Sequence, residues 1–153
     1  MAHILMVCTA NVCRSPMAQI IATQLAQRNG MSQRVHFASA GTHASKVKMR
    51  MDTRSVIALE RRGYAVSKLR SRSIEDKDFQ RFDLILAMDH TNYSELQRIC
   101  PPESQHKLKM FLAVGKKINT GEVPDPYYGN SEGFERVMDL CEAGAHGLLE
   151  TLG

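Results

Sequence analysis

Four apolar residues, Ile4, Leu5, Met6 and Val7, run without a break into Cys8-Thr9-Ala10-Asn11-Val12-Cys13-Arg14 and then Ser15-Pro16. The run suffices for one buried strand. Ser suits a helix N-cap and Pro the first helical position, where no backbone donor is needed. Ala18, Ile21, Ala22 and Leu25 continue with helical period. A strand that feeds a helix through so short a loop is half of a parallel crossover unit, and the alternation recurs. Val35 to Ser39 is a second strand, with a turn at Ala40-Gly41-Thr42. Asp52 caps a helix that runs through Glu60, turns Val56, Ile57 and Leu59 inward and stops at Gly63. Asp83 to Met88 is the clearest buried strand. Asp89 to Arg98 is a helix ended by Pro101-Pro102, and Leu108 to Leu112 is the fourth strand. A last helix from Ser131 to Leu149 carries Phe134, Val137, Met138, Cys141, Ala145, Leu148 and Leu152 on one face.

The pattern predicts an α/β fold: one domain over 1–153, a three-layer sandwich with a four-stranded parallel sheet flanked by helices on both faces. Ligands in such folds bind beyond the carboxyl ends of the strands. Cys8, Ser39 and Asp89 fall at such ends, and Asp125 lies in a loop that can return to the same rim.

The first loop has a physical character of its own. A helix N-terminus offers unpaired N–H groups and partial positive charge, and so holds anions. A thiol there, beside an arginine, loses its proton more easily and becomes a nucleophile. Five residues separate Cys8 from Arg14. A loop of that length can curl its N–H groups around one tetrahedral oxyanion, closed by the bidentate fork of Arg14. A Cys with an Arg six positions on is by itself a common coincidence, and buried cysteines are usually inert. The strand before the loop and the helix after it tip the balance toward chemistry.

The 153-residue chain is long enough for a proper core. No apolar stretch reaches membrane-spanning length and no signal-peptide pattern opens the chain, so a cytoplasmic protein is expected, with no membrane partner. The four cysteines, Cys8, Cys13, Cys100 and Cys141, match neither zinc-ligand nor secreted-disulfide spacing. The net charge of +4 suits anionic substrates. No basic helix or aromatic-studded basic strand points to nucleic acid.

The run from Cys8 to Pro16, together with Asp125-Pro126-Tyr127 late in the chain, closely resembles the two signatures of the low-molecular-weight protein tyrosine phosphatases. The resemblance spans almost the whole chain. It implies hydrolysis of phosphotyrosine on a protein substrate through a cysteinyl-phosphate intermediate, without metal or cofactor. Cys8 would be the nucleophile. The backbone of Thr9, Ala10, Asn11, Val12, Cys13 and Arg14 would bind phosphate, with Arg14 as clamp. Asp125, set between Pro124 and Pro126, would be general acid and then base; alone, that tripeptide reads as a turn. Ser15 would cap the helix, hydrogen-bond the Cys8 sulfur, or both. Asn11 is expected in the left-handed region, held by hydroxyl neighbours that include Ser39. Cys13 is either a redox partner that forms a disulfide with Cys8 or a packed loop residue. Tyr127 and Tyr128 either line the mouth of the site or pack within their loop. Asp89 is expected to pair with Arg72.

Three positions depart from the family pattern: Ala10 for Gly, Leu69 for a His that supports the Asn of the loop, and Ser45 for an aromatic wall. A basic stretch from Lys46 to Arg50 follows Ser45 and favours an acidic phosphopeptide. Two other readings share these features. An arsenate reductase of the same fold would need further thiols, with Cys100 as a conceivable helper. A non-catalytic phosphopeptide-binding module would keep the cradle without turnover. The oligomeric state is not legible from these residues.

Overall fold

A computed structural model describes residues 1–115, 121–127 and 129–153. Four strands, β1 (Ala2–Cys8), β2 (Val35–Gly41), β3 (Leu84–Ala87) and β4 (Leu108–Met110), form one parallel sheet in the order β2-β1-β3-β4. Between and after them run α1 (Arg14–Arg28), α2 (Thr53–Arg61), α3 (Asp78–Arg81), α4 (His90–Ile99), α5 (Phe111–Val114) and α6 (Ser131–Leu152). Parallel strands need both faces covered, which is why β1 reads as an unbroken apolar run rather than an alternating one.

Alternation along β1 sends Ile4, Met6 and Cys8 into a cluster with Met17 and Ile21 of α1 and Phe134, Met138 and Cys141 of α6. Leu5 and Val7 meet Phe79 of α3, Phe82, and Leu96 of α4 on the other face. The sandwich expected from the sequence is therefore present, helices on both faces. The predicted face of α6 is buried from Phe134 to Leu148, with Leu152 packed against its edge. Glycines bring α6 close to α5: a side-chain carbon on Gly147 would lie 2.9 Å from the Gly115 Cα.

Several local expectations change. Ser15 is not the N-cap of α1; Cys13 takes that place without a side-chain cap, and the Ser15 hydroxyl turns toward Cys8. Asp52 does cap α2 through the Arg54 N–H, but Ile57 faces solvent and Ala58 is buried instead. The fourth strand stops at Met110, because Phe111 and Leu112 turn into α5 to reach the α6 core. No helix among the described residues is long and apolar enough to cross a membrane.

Candidate active site

The loop from Thr9 to Cys13 links the carboxyl end of β1 to α1. Its carbonyls are tied from outside: Cys8 O accepts from Thr42 N and Thr9 O from His43 N, both at 2.9 Å, and Val12 O accepts from Asp52 N at 2.9 Å. The backbone N–H groups of Thr9 through Ser15 donate to no acceptor among the described residues. A run of free amides around a left-handed residue forms an anion-binding concavity. Asn11, φ 61°, is that residue, and the only described non-glycine one with positive φ. Ala10 is therefore free of left-handed strain. The Asn11 amide donates to Ser15 Oγ at 2.8 Å and to Ser39 Oγ at 3.0 Å, and its Oδ1 accepts from Arg72 N at 3.0 Å. Ser39 in turn donates to Gln19 Oε1 at 2.7 Å. These contacts hold Asn11 without a histidine at position 69; Leu69 packs against the core instead.

Cys8 Sγ lies 3.0 Å from Ser15 Oγ. The sulfur is nearly covered by protein yet faces a cavity of about 690 Å³, lined by Thr9 to Arg14, Arg50, Arg54, Asp125 and Tyr127 among others. Arg14 is 2% exposed. Its guanidinium donates to Asp89 Oδ2 at 2.6 Å and to Val123 O at 3.0 Å, and its other terminal nitrogen is 3.7 Å from Asp125 Oδ2. Burial opposes the Arg14 charge, but the adjacent Cys8 sulfur and the Asp89 carboxylate outweigh it, so its pKa sits above the ordinary value. The Asp89 partner is thus Arg14, not Arg72; Arg72 pairs with the buried Asp78 at 2.9 Å. Asp89 Oδ1 also caps α4 through Asn92 N at 2.7 Å, and the Asn92 amide donates to Thr9 Oγ1 at 3.0 Å. Val123 fastens the segment that carries Asp125, its N–H donating to Met88 O at 2.7 Å.

Asp125 and Tyr127 are both exposed at the cavity mouth, with the Tyr127 N–H on Asp125 Oδ1 at 3.0 Å. Tyr128 lies outside the described residues. Arg54, not singled out in the sequence, forms that wall: it clasps Asp52 at 2.8 Å, donates to Tyr127 O at 2.9 Å and lies 5.5 Å over the Tyr127 ring. Arg54 holds Asp52 below the ordinary carboxylate pKa through these hydrogen bonds. No signal in the chain separates Arg54 from its neighbours in a basic region. Cys13 is buried beside Asp52 and Ser55, and burial above all pushes its thiol up to about 12. Cys141 is enclosed in the core. Cys100 sits at the far end of α4 from Asp89, about 15 Å along a ten-residue helix. No group of three His, Cys, Asp or Glu side chains among the described residues is placed to hold a metal ion.

The arrangement can hold a tetrahedral oxyanion above a sulfur, with a carboxyl group over the same rim. Residues 3–153 match the sequence model of the low molecular weight phosphotyrosine protein phosphatases. A Synechocystis sp. relative whose name places it in the same family is 41% identical, covering 98% of this chain and 96% of the relative. The crystal structure of an Entamoeba histolytica protein tyrosine phosphatase, with Hepes in its active site, superposes with a TM-score of 0.94 at 36% identity, covering 99% and 97% of the two chains. The Bacillus subtilis arginine phosphatase YwlE, in a variant with serine for cysteine and that active-site serine phosphorylated, superposes with a TM-score of 0.88 at 26% identity, covering 98% and 95%. By loop, sheet and kinship alike, the chain belongs to the low molecular weight phosphotyrosine protein phosphatase family.

Proposed function

We propose that this enzyme hydrolyses phosphotyrosine on protein substrates in two steps, with no metal required. Cys8 sulfur attacks phosphorus in line with the phenolic oxygen; the S–P bond forms as the P–O bond breaks. The free amides from Thr9 to Arg14 and the Arg14 guanidinium take the equatorial oxygens as charge shifts. Asp125 gives its proton to the leaving phenolate, then takes one from the water that cleaves the S–P bond and releases phosphate. Ser15 donates to the sulfur as it leaves. The observation that carries this reading is the placement of Cys8 Sγ, Arg14 and Asp125 on one cavity, with Arg14 within 3.7 Å of Asp125. The phosphorylated active-site serine of YwlE supports the nucleophile role of Cys8.

Tyr127 at the mouth suits an aromatic leaving group. Arg50 on the wall and the exposed Lys46 and Lys48 beside it suit acidic residues around the phosphotyrosine. Cys13 is the proposed redox partner: peroxide converts the Cys8 thiol to a sulfenic acid, the Cys13 thiol condenses with it to release water, and a thiol reductant restores both. Neither Cys100 nor Cys141 is placed to carry a disulfide outward, so nothing favours arsenate reduction.

The test is a leaving-group series of aryl phosphates. Asp125→Ala slows esters of poorly acidic phenols on the order of a hundredfold and those of acidic phenols far less. A uniform loss rejects Asp125 as the acid. Cys8→Ser abolishes turnover and keeps phosphopeptide binding; unaltered protein that binds without turnover is a binding module. Parallel assays with phosphoarginine and arsenate separate the specificity proposed here from the alternatives.

A further inference from the structure

A second cavity, of about 350 Å³, opens over the first halves of β1 and β2, away from the phosphate loop. Strand alternation puts His3, His36 and Ala38 on the sheet face shared by Leu5, Val7 and Ala40. Phe79 and Phe82 cover that face only in part, so Ala38 is left as a floor with the Phe82 ring beside it. The walls are cationic. Asp78, fully buried, grips Arg72 with both oxygens, at 2.9 and 3.1 Å. That grip fixes the guanidinium and leaves its Nε–H and one terminal N–H without an acceptor among the described residues. Arg81 has no carboxylate partner among the described residues; its guanidinium lies 5.7 Å over the Phe82 ring. The His3 and His36 rings stand 5.6 Å apart at 60°, with no hydrogen bond on either ring among the described residues. Lys77 contributes a third charge, shared with Glu75 at 3.2 Å, and Glu75 is the one carboxylate on the lining among the described residues.

We propose that this cavity is a second, non-catalytic site for a phosphate monoester dianion or for free phosphate. Two guanidinium groups and a pair of imidazoles line the same cavity. Charge-assisted bonds to planar donors are the strong way to hold such an oxyanion. The site also touches the first one through backbone. The Arg72 N–H donates to Asn11 Oδ1 at 3.0 Å, and Arg72 O accepts from Gly41 N at 2.8 Å. An anion on the Arg72 guanidinium adds to the hold of Asp78 on this residue, whose backbone N–H in turn steadies the left-handed residue of the phosphate loop. This coupling rests on the proposed function; binding in the second cavity does not.

The experiment follows the imidazole C–H resonances of His3 and His36 in the unaltered 153-residue chain. Inorganic phosphate is titrated at fixed pH, with chloride balancing ionic strength. Both resonances move along a saturating curve, and Lys77→Gln with Arg81→Gln raises its midpoint about fivefold or more. Inhibition of aryl phosphate turnover by phosphate reports the Cys8 loop separately, so failure of the catalytic reading leaves the histidine curve intact. A phosphoserine peptide that saturates below inorganic phosphate identifies a phosphoprotein as the source; the reverse order identifies free phosphate, the product of turnover. Histidine shifts that never saturate, or a midpoint that the double substitution leaves unchanged, mean an adventitious ion only and overturn the proposal.

Discussion

Asn11 holds its loop by two separable means, a left-handed backbone and a side chain with three partners. Asn11→Ala loses both. A left-handed non-glycine residue costs about 1–2 kcal/mol and each lost buried bond about 1 kcal/mol. The expected outcome is an unfolding free energy lower by about 4–5 kcal/mol, read by urea denaturation. Asn11→Gly removes the strain and keeps only the loss of the bonds, so it falls between Asn11→Ala and the unaltered protein. Equal losses from the two substitutions would leave the backbone term without support. Asn11 was legible because few residue types tolerate that conformation, and Cys8 and Arg14 because their spacing sits between a strand and a helix. The ion pairs were not. Arg72 and Asp78 lie six residues apart and Arg14 and Asp89 seventy-five, and only the assembled fold decides which arginine faces which carboxylate.

Helices and strands were legible by the strength of their apolar pattern rather than by length: β3, only four residues long, lies in the clearest apolar run of the chain. β1, α1 and α6 announce themselves by apolar runs or sustained periodicity. The short β4 does not, because Leu108 to Leu112 is equally apolar whether it continues as a strand or turns into α5. What decides it is α6, whose Gly144 and Gly147 leave room for the Phe111 ring and the Gly115 backbone. Gly147→Ala puts a methyl against backbone that cannot yield. The expected destabilisation is about 1–3 kcal/mol, seen as a Tm lower by several degrees in calorimetry. An unchanged Tm would show that α5 shifts freely. A second element-scale contact joins α2 to α6: Arg62 meets Glu135 at 3.0 Å, Asp139 at 2.9 Å and also Glu142, which in turn accepts from Tyr64 OH at 2.6 Å. Arg62→Met leaves those carboxylates facing one another and lowers stability by about 1 kcal/mol, an effect that high salt reduces.

At the scale of the molecule, the parallel sheet gathers Cys8, Ser39 and Asp89 on one rim, as its topology requires, and Val123 brings the segment of Asp125 to the same place. Burial inside this frame has a consequence for alkaline solutions. The Cys13 and Cys141 thiols are pushed up from 9.0 to about 12, chiefly by desolvation. Both stay protonated in the folded protein while the unfolded chain releases protons from pH 9 upward. Stability is therefore full below about pH 9 and falls as pH rises toward 12, because the unfolded state binds fewer protons there. Urea midpoints at pH 8, 9.5 and 10.5 should decrease in that order, and a flat series would contradict the burial of these thiols. The frame also has no slack beneath its chemistry. A side-chain carbon on Gly41, at the end of β2, would stand 2.4 Å from the Thr9 carbonyl. One methyl group, on a residue outside the cavity lining, would thus tip the floor of the reaction chamber and silence the enzyme while every reacting atom stayed in the chain.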